Sequence, residues 1–139
     1  NTILANALNN SFAEKINEEL IIAGADYSRK VGLGRACFLV RIMDQFTGYT
    51  FDDKANFLLG AVLENDLYAV KNSSALKVDP KHPVIIGGSE ILKRAFEILI
   101  KNDDYFRGKL HVVDDESMQD MAGFGSIAAA KARGLVKEE

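Results

Sequence analysis

Apolar residues in the first half of the chain recur every three or four positions, which predicts a series of amphipathic helices. Ser11 to Glu14 fits a capping box, so we expect the first helix to run from about Phe12 to Val31, with an interruption near Ala23–Gly24 left open. A second helix is expected from Ala36 to Phe46, because its apolar side chains fall at helical spacing. The first half therefore indicates a helix-rich fold.

The third helical segment has the clearest start signal. Thr50 suits an N-cap and is followed by acidic residues in the first turn. The helix is predicted to extend to about Val70, and Gly60 and Ala61 within it would let a neighbouring helix approach closely. The polar stretch Asn72 to Lys81 is the one candidate linker. Because no repeat or low-complexity tract divides the sequence, residues 1–139 are read as a single domain.

The last third of the chain changes to a pattern of strands and helices. Val84–Ile86 is a short β-branched run, which predicts a strand buried on both faces, as in a parallel sheet. A helix is expected from Ser89 to about Lys101, a strand from Leu110 to Val113, and a last helix opening at Ser117–Asp120. This β-α-β-α end is a right-handed βαβ unit extended by one helix, so the fold class is α/β. Two strands make a poor sheet, so further strands are expected, either in this chain or outside it.

Composition narrows the class of protein without identifying its chemistry. Of the 139 residues, 47% are hydrophobic and 27% charged, which is typical of a soluble globular domain. The net charge of -3 gives no reason to expect nucleic acid, and no apolar run approaches the roughly 20 residues that span a membrane. The single cysteine, Cys37, excludes an internal disulfide and favours a reducing, cytoplasmic setting. The start at Asn1 without a Met is read as a cut within a longer protein or a processed tag.

The sharpest local signal is the turn formed by Gly87, Gly88 and Ser89. A predicted strand ends there and a helix begins, and ligands in open α/β sheets bind beyond the carboxyl ends of strands. Two residues without Cβ would let a planar ring or a phosphate approach the backbone, and the helix N-terminus would add unpaired N–H groups. The competing interpretation is a tight strand-to-helix turn that uses glycine for a positive φ.

Other residues invite a functional interpretation, but a structural one is favoured for each. Gly123–Gly125 resembles part of a dinucleotide motif but falls inside a predicted helix, where glycine indicates close packing. Asp114–Glu116 follows a strand, where acids more often cap the next helix than bind magnesium or ribose. His82 and His111 have no metal-ligand spacing, and Arg41 is expected in an ion pair or against another domain. The sequence thus identifies no catalytic residue and no metal site.

Several segments, in order along nearly the whole chain, resemble the 2-dehydro-3-deoxygalactonokinase family, the kinases of 2-keto-3-deoxy sugar acids. Phe38–Arg41 resembles the family's Phe-x-Val-Arg signature, and Phe57–Glu64 resembles its Tyr-Leu-Ser-Gly-Leu-Leu-Ile-Gly-Ala-Glu segment. The remaining similar segments are Asn1–Leu8, Ala25–Gly32 and Val84–Phe96. The segment Phe57–Glu64 departs from the family at one point, because Leu63 precedes Glu64 where the family has Gly-Ala before its glutamate.

The resemblance implies the C-terminal half of a two-domain kinase with the actin-like ATPase (ribonuclease H-like) fold. The implied reaction is ATP-dependent phosphorylation of 2-dehydro-3-deoxy-galactonate, with Mg2+ accompanying ATP. Gly87, Gly88 and Ser89 would then lie against the adenosine, and no residue of this chain would be catalytic. The phosphate loops and the catalytic acid would belong to the missing N-terminal half, so this part alone is expected to be inactive. The implied partners are that half, the sugar acid and, as a homo-oligomer, further copies of the chain.

Two alternatives remain open at this point. One is a nucleotide-binding module of the actin-like class that transfers nothing. The other is a helical interaction module in which the glycine turn is only structural. A nicotinamide-dependent domain is disfavoured, because Gly123–Gly125 does not lie between a strand and a helix.

Overall fold

The computed structural model describes Leu4, Ala7, Leu8 and residues 12–46 and 48–135. These residues form five helices and one two-stranded sheet, which confirms the helix-rich α/β prediction at this coarse level. In chain order the elements are α1 Glu18–Val31, α2 Leu33–Phe46, α3 Phe51–Asn72, β1 Val84–Ile86, α4 Glu90–Lys101, β2 Leu110–Val112 and α5 Asp115–Ala132.

α1 begins later than the sequence pattern indicated. Asn17 is its N-cap, and the side-chain oxygen of Asn17 accepts a hydrogen bond from the Leu20 N–H at 3.3 Å. The preceding residues are held against α3, because the buried Asn56 side chain accepts from the Asn17 N–H and donates to the Lys15 carbonyl. The predicted start at Phe12 is therefore wrong, since these long-range bonds keep that segment outside the helix. The proposed capping box begins outside the described residues.

α1 and α3 cross at two glycines. A Cβ built at Gly24 would lie 2.8 Å from the Phe57 carbonyl carbon, and one at Gly60 would lie 2.7 Å from the Ile21 carbonyl carbon. The two backbones are therefore in direct contact, which confirms the close approach predicted at Gly60. Gly24 does not interrupt α1, because its missing side chain serves the crossing and not a break in the helix.

The boundaries of α2 and α3 follow from local backbone chemistry. Gly32, with φ of 87°, separates α1 from α2, so α2 starts at Leu33 and not at Ala36. Thr50 caps α3 as predicted, since its hydroxyl accepts from the Asp53 N–H while the Asp53 carboxylate accepts from the Thr50 N–H.

The larger hydrophobic core lies where α1, α3 and α4 pack together on one face of the sheet. Its buried members include Ile21 of α1, Leu63 of α3 and Ala95 of α4. A smaller cluster between α2 and α3 is centred on Val40 and Phe57. Burial of these side chains supplies the main driving force for folding, at about 25 cal/mol per Å2 of apolar surface.

β1 and β2 are parallel, with Val84 opposite Leu110 and Ile86 opposite Val112. The expected βαβ unit followed by a helix is therefore present. Ile86 is buried, but Ile85 is 66% exposed, so the prediction of a strand buried on both faces is wrong for the described chain. The reason is that α4 and the core cover one face, and no described element covers the other.

Candidate functional site

The candidate site is the carboxyl edge of the two-stranded sheet. The last ladder bond runs from the Val113 N–H to the Ile86 carbonyl at 2.9 Å. The turn after β1 and the start of α5 therefore lie side by side, because parallel strands end at the same edge. This brings the Gly87–Ser89 turn together with Asp114, the residue that precedes α5.

Gly88 has a φ of 132°, and a Cβ built on it would meet no atom within 4 Å. Glycine is therefore required here by the backbone conformation and not by crowding, which confirms the tight-turn interpretation. The open space in front of Gly88 is also what close approach of a ligand ring requires. The functional interpretation of the turn stays a prediction.

The N-terminus of α4 points its first N–H groups at this edge. Ser89 is the N-cap, but its exposed side chain makes no capping hydrogen bond. The partial positive charge of the helix end is thus not neutralised by its own cap. The neighbouring helix differs, because the Asp114 carboxylate caps α5 by accepting from the Ser117 N–H at 2.7 Å. That hydrogen bond lowers the pKa of Asp114, and the capping role predicted for this acid is confirmed.

Lys93 is a component of the edge that the sequence pattern did not identify. It lies one turn into α4 and is only 4% exposed. Its ammonium group donates to the Val113 carbonyl at 3.2 Å and pairs with Glu90 at 3.0 Å. One feature of the sequence could have predicted its burial: Lys93, Phe96 and Ile100 follow the i, i+3, i+7 spacing of one helix face. A buried lysine, paired with Glu90, therefore joins the start of α4 to the end of β2 at this edge.

A second polar region lies between α1 and α3, beside a cavity of about 280 Å3. Glu64, which is 3% exposed, accepts two hydrogen bonds from the Arg29 guanidinium, at 3.0 and 2.8 Å. This bidentate pair raises the pKa of Arg29. Lys71 extends the network from Glu64 to Asp103. Because each charge has an opposite partner, the network ties the helices together and offers no unpaired group for chemistry.

The remaining candidates lie apart from the edge. His82 is exposed in a loop near Asp79, and His111 is exposed on β2. Cys37 is half-buried, and burial raises the pKa of its thiol, which disfavours a nucleophilic thiolate. Arg41 is half-buried and makes no ion pair with any described residue, so the first of its two interpretations is not met there, and the second, a position against another domain, stays a prediction.

Gly123 and Gly125 lie inside α5, as predicted, but both are exposed, and a Cβ built on either would meet no atom within 4 Å. The expectation that they mark close packing is therefore wrong for the described chain, because α5 packs extensively against no other described element. Within the described residues, no group of three or more His, Cys, Asp or Glu side chains is arranged to hold a metal ion.

No family model, no curated protein and no solved structure matches this chain. Crossing a bilayer needs a sustained apolar length that none of the described helices has.

Proposed function

We propose that this chain forms the nucleotide side of an actin-like sugar-acid kinase, one that phosphorylates 2-dehydro-3-deoxy-galactonate with ATP. The observation that carries the proposal is the edge itself. A parallel strand ends in Gly87–Gly88, and an uncapped helix N-terminus follows at Ser89. Nucleotides bind at such edges in open α/β sheets, where the backbone is accessible and the helix end favours phosphate.

Each part of the edge has a distinct role in this proposal. Gly87 and Gly88 leave room for the adenosine against the backbone. The first-turn N–H groups of α4 favour the phosphates, whereas the charge of Lys93 is already paired with Glu90 and so adds little positive potential. The edge offers Asp114 as a described carboxylate, but that carboxylate already caps α5. Mg2+ would therefore arrive with the phosphates and be held by residues other than these.

Phosphoryl transfer needs more than this edge supplies. It requires an oriented acceptor hydroxyl, a metal-bound phosphate and donors that stabilise the transferring group. In the proposed enzyme those groups belong to an N-terminal half that carries the phosphate loops and the catalytic acid. The chain is accordingly expected to bind nucleotide without turning it over.

The test is calorimetric titration of the chain with a non-hydrolysable ATP analogue. Gly88 is unsuitable for substitution, because a valine at a φ of 132° would strain the backbone. Gly87 is not among the described residues with positive φ, so Gly87→Val places a branched side chain at the edge without that strain. Gly34→Val is the matched control, since Gly34 is also exposed and its Cβ would meet nothing within 4 Å.

We expect Gly87→Val to weaken analogue binding about tenfold or more, while Gly34→Val leaves the affinity unchanged. Circular dichroism establishes that both variants are folded. If a folded Gly87→Val binds the analogue as tightly as the unmodified chain, the nucleotide assignment is wrong and the turn is only structural.

A helical interaction module is the second candidate. The observation in its favour is α5, which displays Phe124, Ile127 and Met121 to solvent. Contiguous exposed apolar side chains of this size mark interaction surfaces. The two candidates differ in one measurement, because an interaction module would not bind the ATP analogue at all.

A further inference from the structure

α5 lacks a packing partner within the described chain. It has 18 residues, follows β2 directly, and makes no extensive contact with the other described elements. Phe124 is 69% exposed and Met121 45% exposed. Most of the stability of a helix in a protein comes from packing of its apolar face, and each interior glycine costs about 1 kcal/mol relative to alanine. Because α5 contains Gly123 and Gly125, its stability requires a surface to pack against.

One face of α5 has the spacing of a helix-pairing seam. Successive members are separated by three or four residues in strict alternation, which is the heptad pattern of paired helices. All of the members are described and exposed. They are Asp114, the N-cap just before α5, and Ser117, Met121, Phe124, Ala128 and Lys131 of α5. We call this set the α5 seam.

The α5 seam is complementary to itself when two copies run antiparallel. In that arrangement Met121 meets the partner's Phe124, and Ser117 meets the partner's Ala128. Large side chains therefore pack against large ones, and small side chains against small ones. At each end Asp114 meets the partner's Lys131, which joins opposite charges. A parallel arrangement would instead place Asp114 against its own copy and Lys131 against its own copy. The charges therefore select the antiparallel orientation, although exposed pairs add little affinity.

We propose that α5 pairs with α5 of a second copy of this chain, antiparallel and through the α5 seam. The pairing is isologous, so one contact repeated by the twofold axis gives a closed dimer and not a fibre. Two helices of 18 residues bury less surface than a standard interface, so a weak, concentration-dependent association is expected. The inference does not depend on the nucleotide assignment, because Met121 and Phe124 lie on α5 and not on the glycine turn, and Asp114, which the edge and the seam share, has no part in the proposed nucleotide contacts.

Sedimentation equilibrium of the 139-residue chain from about 5 to 500 μM tests the pairing. We expect a monomer–dimer equilibrium that Phe124→Lys weakens at least about tenfold, because it places a cation in the central layers. Phe46→Lys is the matched control, since Phe46 is 74% exposed on α2, away from the seam. A wild-type monomer at the highest concentration overturns the proposal. So does a Phe124→Lys variant that dimerises as tightly as the Phe46→Lys control.

Disulfide cross-linking tests the orientation. In a Cys37→Ser background, Ser117→Cys and Ala128→Cys chains are mixed and oxidised at a concentration that populates the dimer. Antiparallel pairing predicts a mixed dimer that links position 117 to position 128, because these positions face each other within disulfide reach. Predominant cross-linking of Ser117→Cys to itself would show parallel pairing and would overturn the proposed arrangement.

Discussion

Replacing Gly60 by alanine tests how closely α1 and α3 are fitted. Gly60 lies against the backbone of Ile21, and a Cβ there would lie 2.7 Å from the Ile21 carbonyl carbon and 2.9 Å from its Cα. The obstructing atoms are backbone, so no rotamer change relieves the overlap. The added methyl group can be accommodated only if the two helices separate.

The expected loss of stability follows from the core packing that this separation of the helices would loosen. Ile21 is fully buried at the crossing, and Leu59 and Leu63 of α3 pack in the same core. Overpacking a tight core costs about 1–3 kcal/mol, and a rigid backbone neighbour places this change at the upper end of that range. We therefore expect Gly60→Ala to lower the free energy of unfolding by about 3 kcal/mol, a large part of the roughly 5–15 kcal/mol typical of a domain.

Urea denaturation followed by circular dichroism measures this cost, with Gly34→Ala as the control. Gly34 lies in α2, and its Cβ would meet nothing within 4 Å, so alanine there should stabilise the chain by about 0.5–1 kcal/mol. The same substitution is thus predicted to act with opposite sign at the two positions. A Gly60→Ala variant as stable as the unmodified chain would refute the close backbone contact.

The second glycine at the crossing tests whether the two positions share one contact. Gly24→Ala meets the backbone of Phe57 across the same crossing and should cost a similar amount. The double variant should cost less than the sum of the two single variants, because the first separation makes room for the second methyl group. Additive costs would mean that the two glycines do not share one contact.

Two more predictions concern polar groups. Asn56→Ala leaves the Asn17 N–H and the Lys15 carbonyl without their buried partner, and should lower the free energy of unfolding by about 2–3 kcal/mol in urea denaturation. Asn72→Ala, at an exposed asparagine, is the control and should lower it by less than about 1 kcal/mol. Hydrogen bonds from Thr50 lower the pKa of Asp53, so its contribution to stability is present above its ordinary pKa of about 3.9 and is lost as the pH falls through the lower folded value. The stability difference between the unmodified chain and Asp53→Ala should therefore hold from about pH 5 to 7 and shrink below about pH 4, and a difference independent of pH would contradict the role of the carboxylate.

The sequence predicts this fold well where the determinants are local. Thr50 and Asp53 are three residues apart, so the capping box at α3 is legible without any tertiary information. The strand, glycine turn and helix from Val84 onward depend on β-branching, on glycine and on helical periodicity, all of which act within a few residues. Gly60 is predicted for a related reason, because a glycine within an apolar helical stripe has few explanations other than close contact.

The predictions fail where a residue far away in the sequence determines the local structure. The start of α1 is set by Asn56, which lies far along the chain and holds the segment before Asn17 in a non-helical conformation. Lys93 is buried because the Val113 carbonyl reaches it across the βαβ unit, and no local pattern predicts that partner. Long-range polar contacts of this kind carry almost no signal in sequence periodicity.

The exposed half of the sheet bears on the expectation of further strands. Val84 donates to Lys109 and Ile86 accepts from Val113, so both residues turn their backbone groups toward β2. Because backbone groups alternate in direction along a strand, the N–H and C=O of Ile85 point to the opposite edge. A three-residue parallel pair is incomplete as a sheet, because the outer edges of β1 and β2 pair with no described strand and one face is open. An added strand would lie beside β1 at Ile85 or along the outer edge of β2, and an added layer would cover the Ile85 side chain. The expectation of further strands stays a prediction, and these surfaces are where it would have to be met.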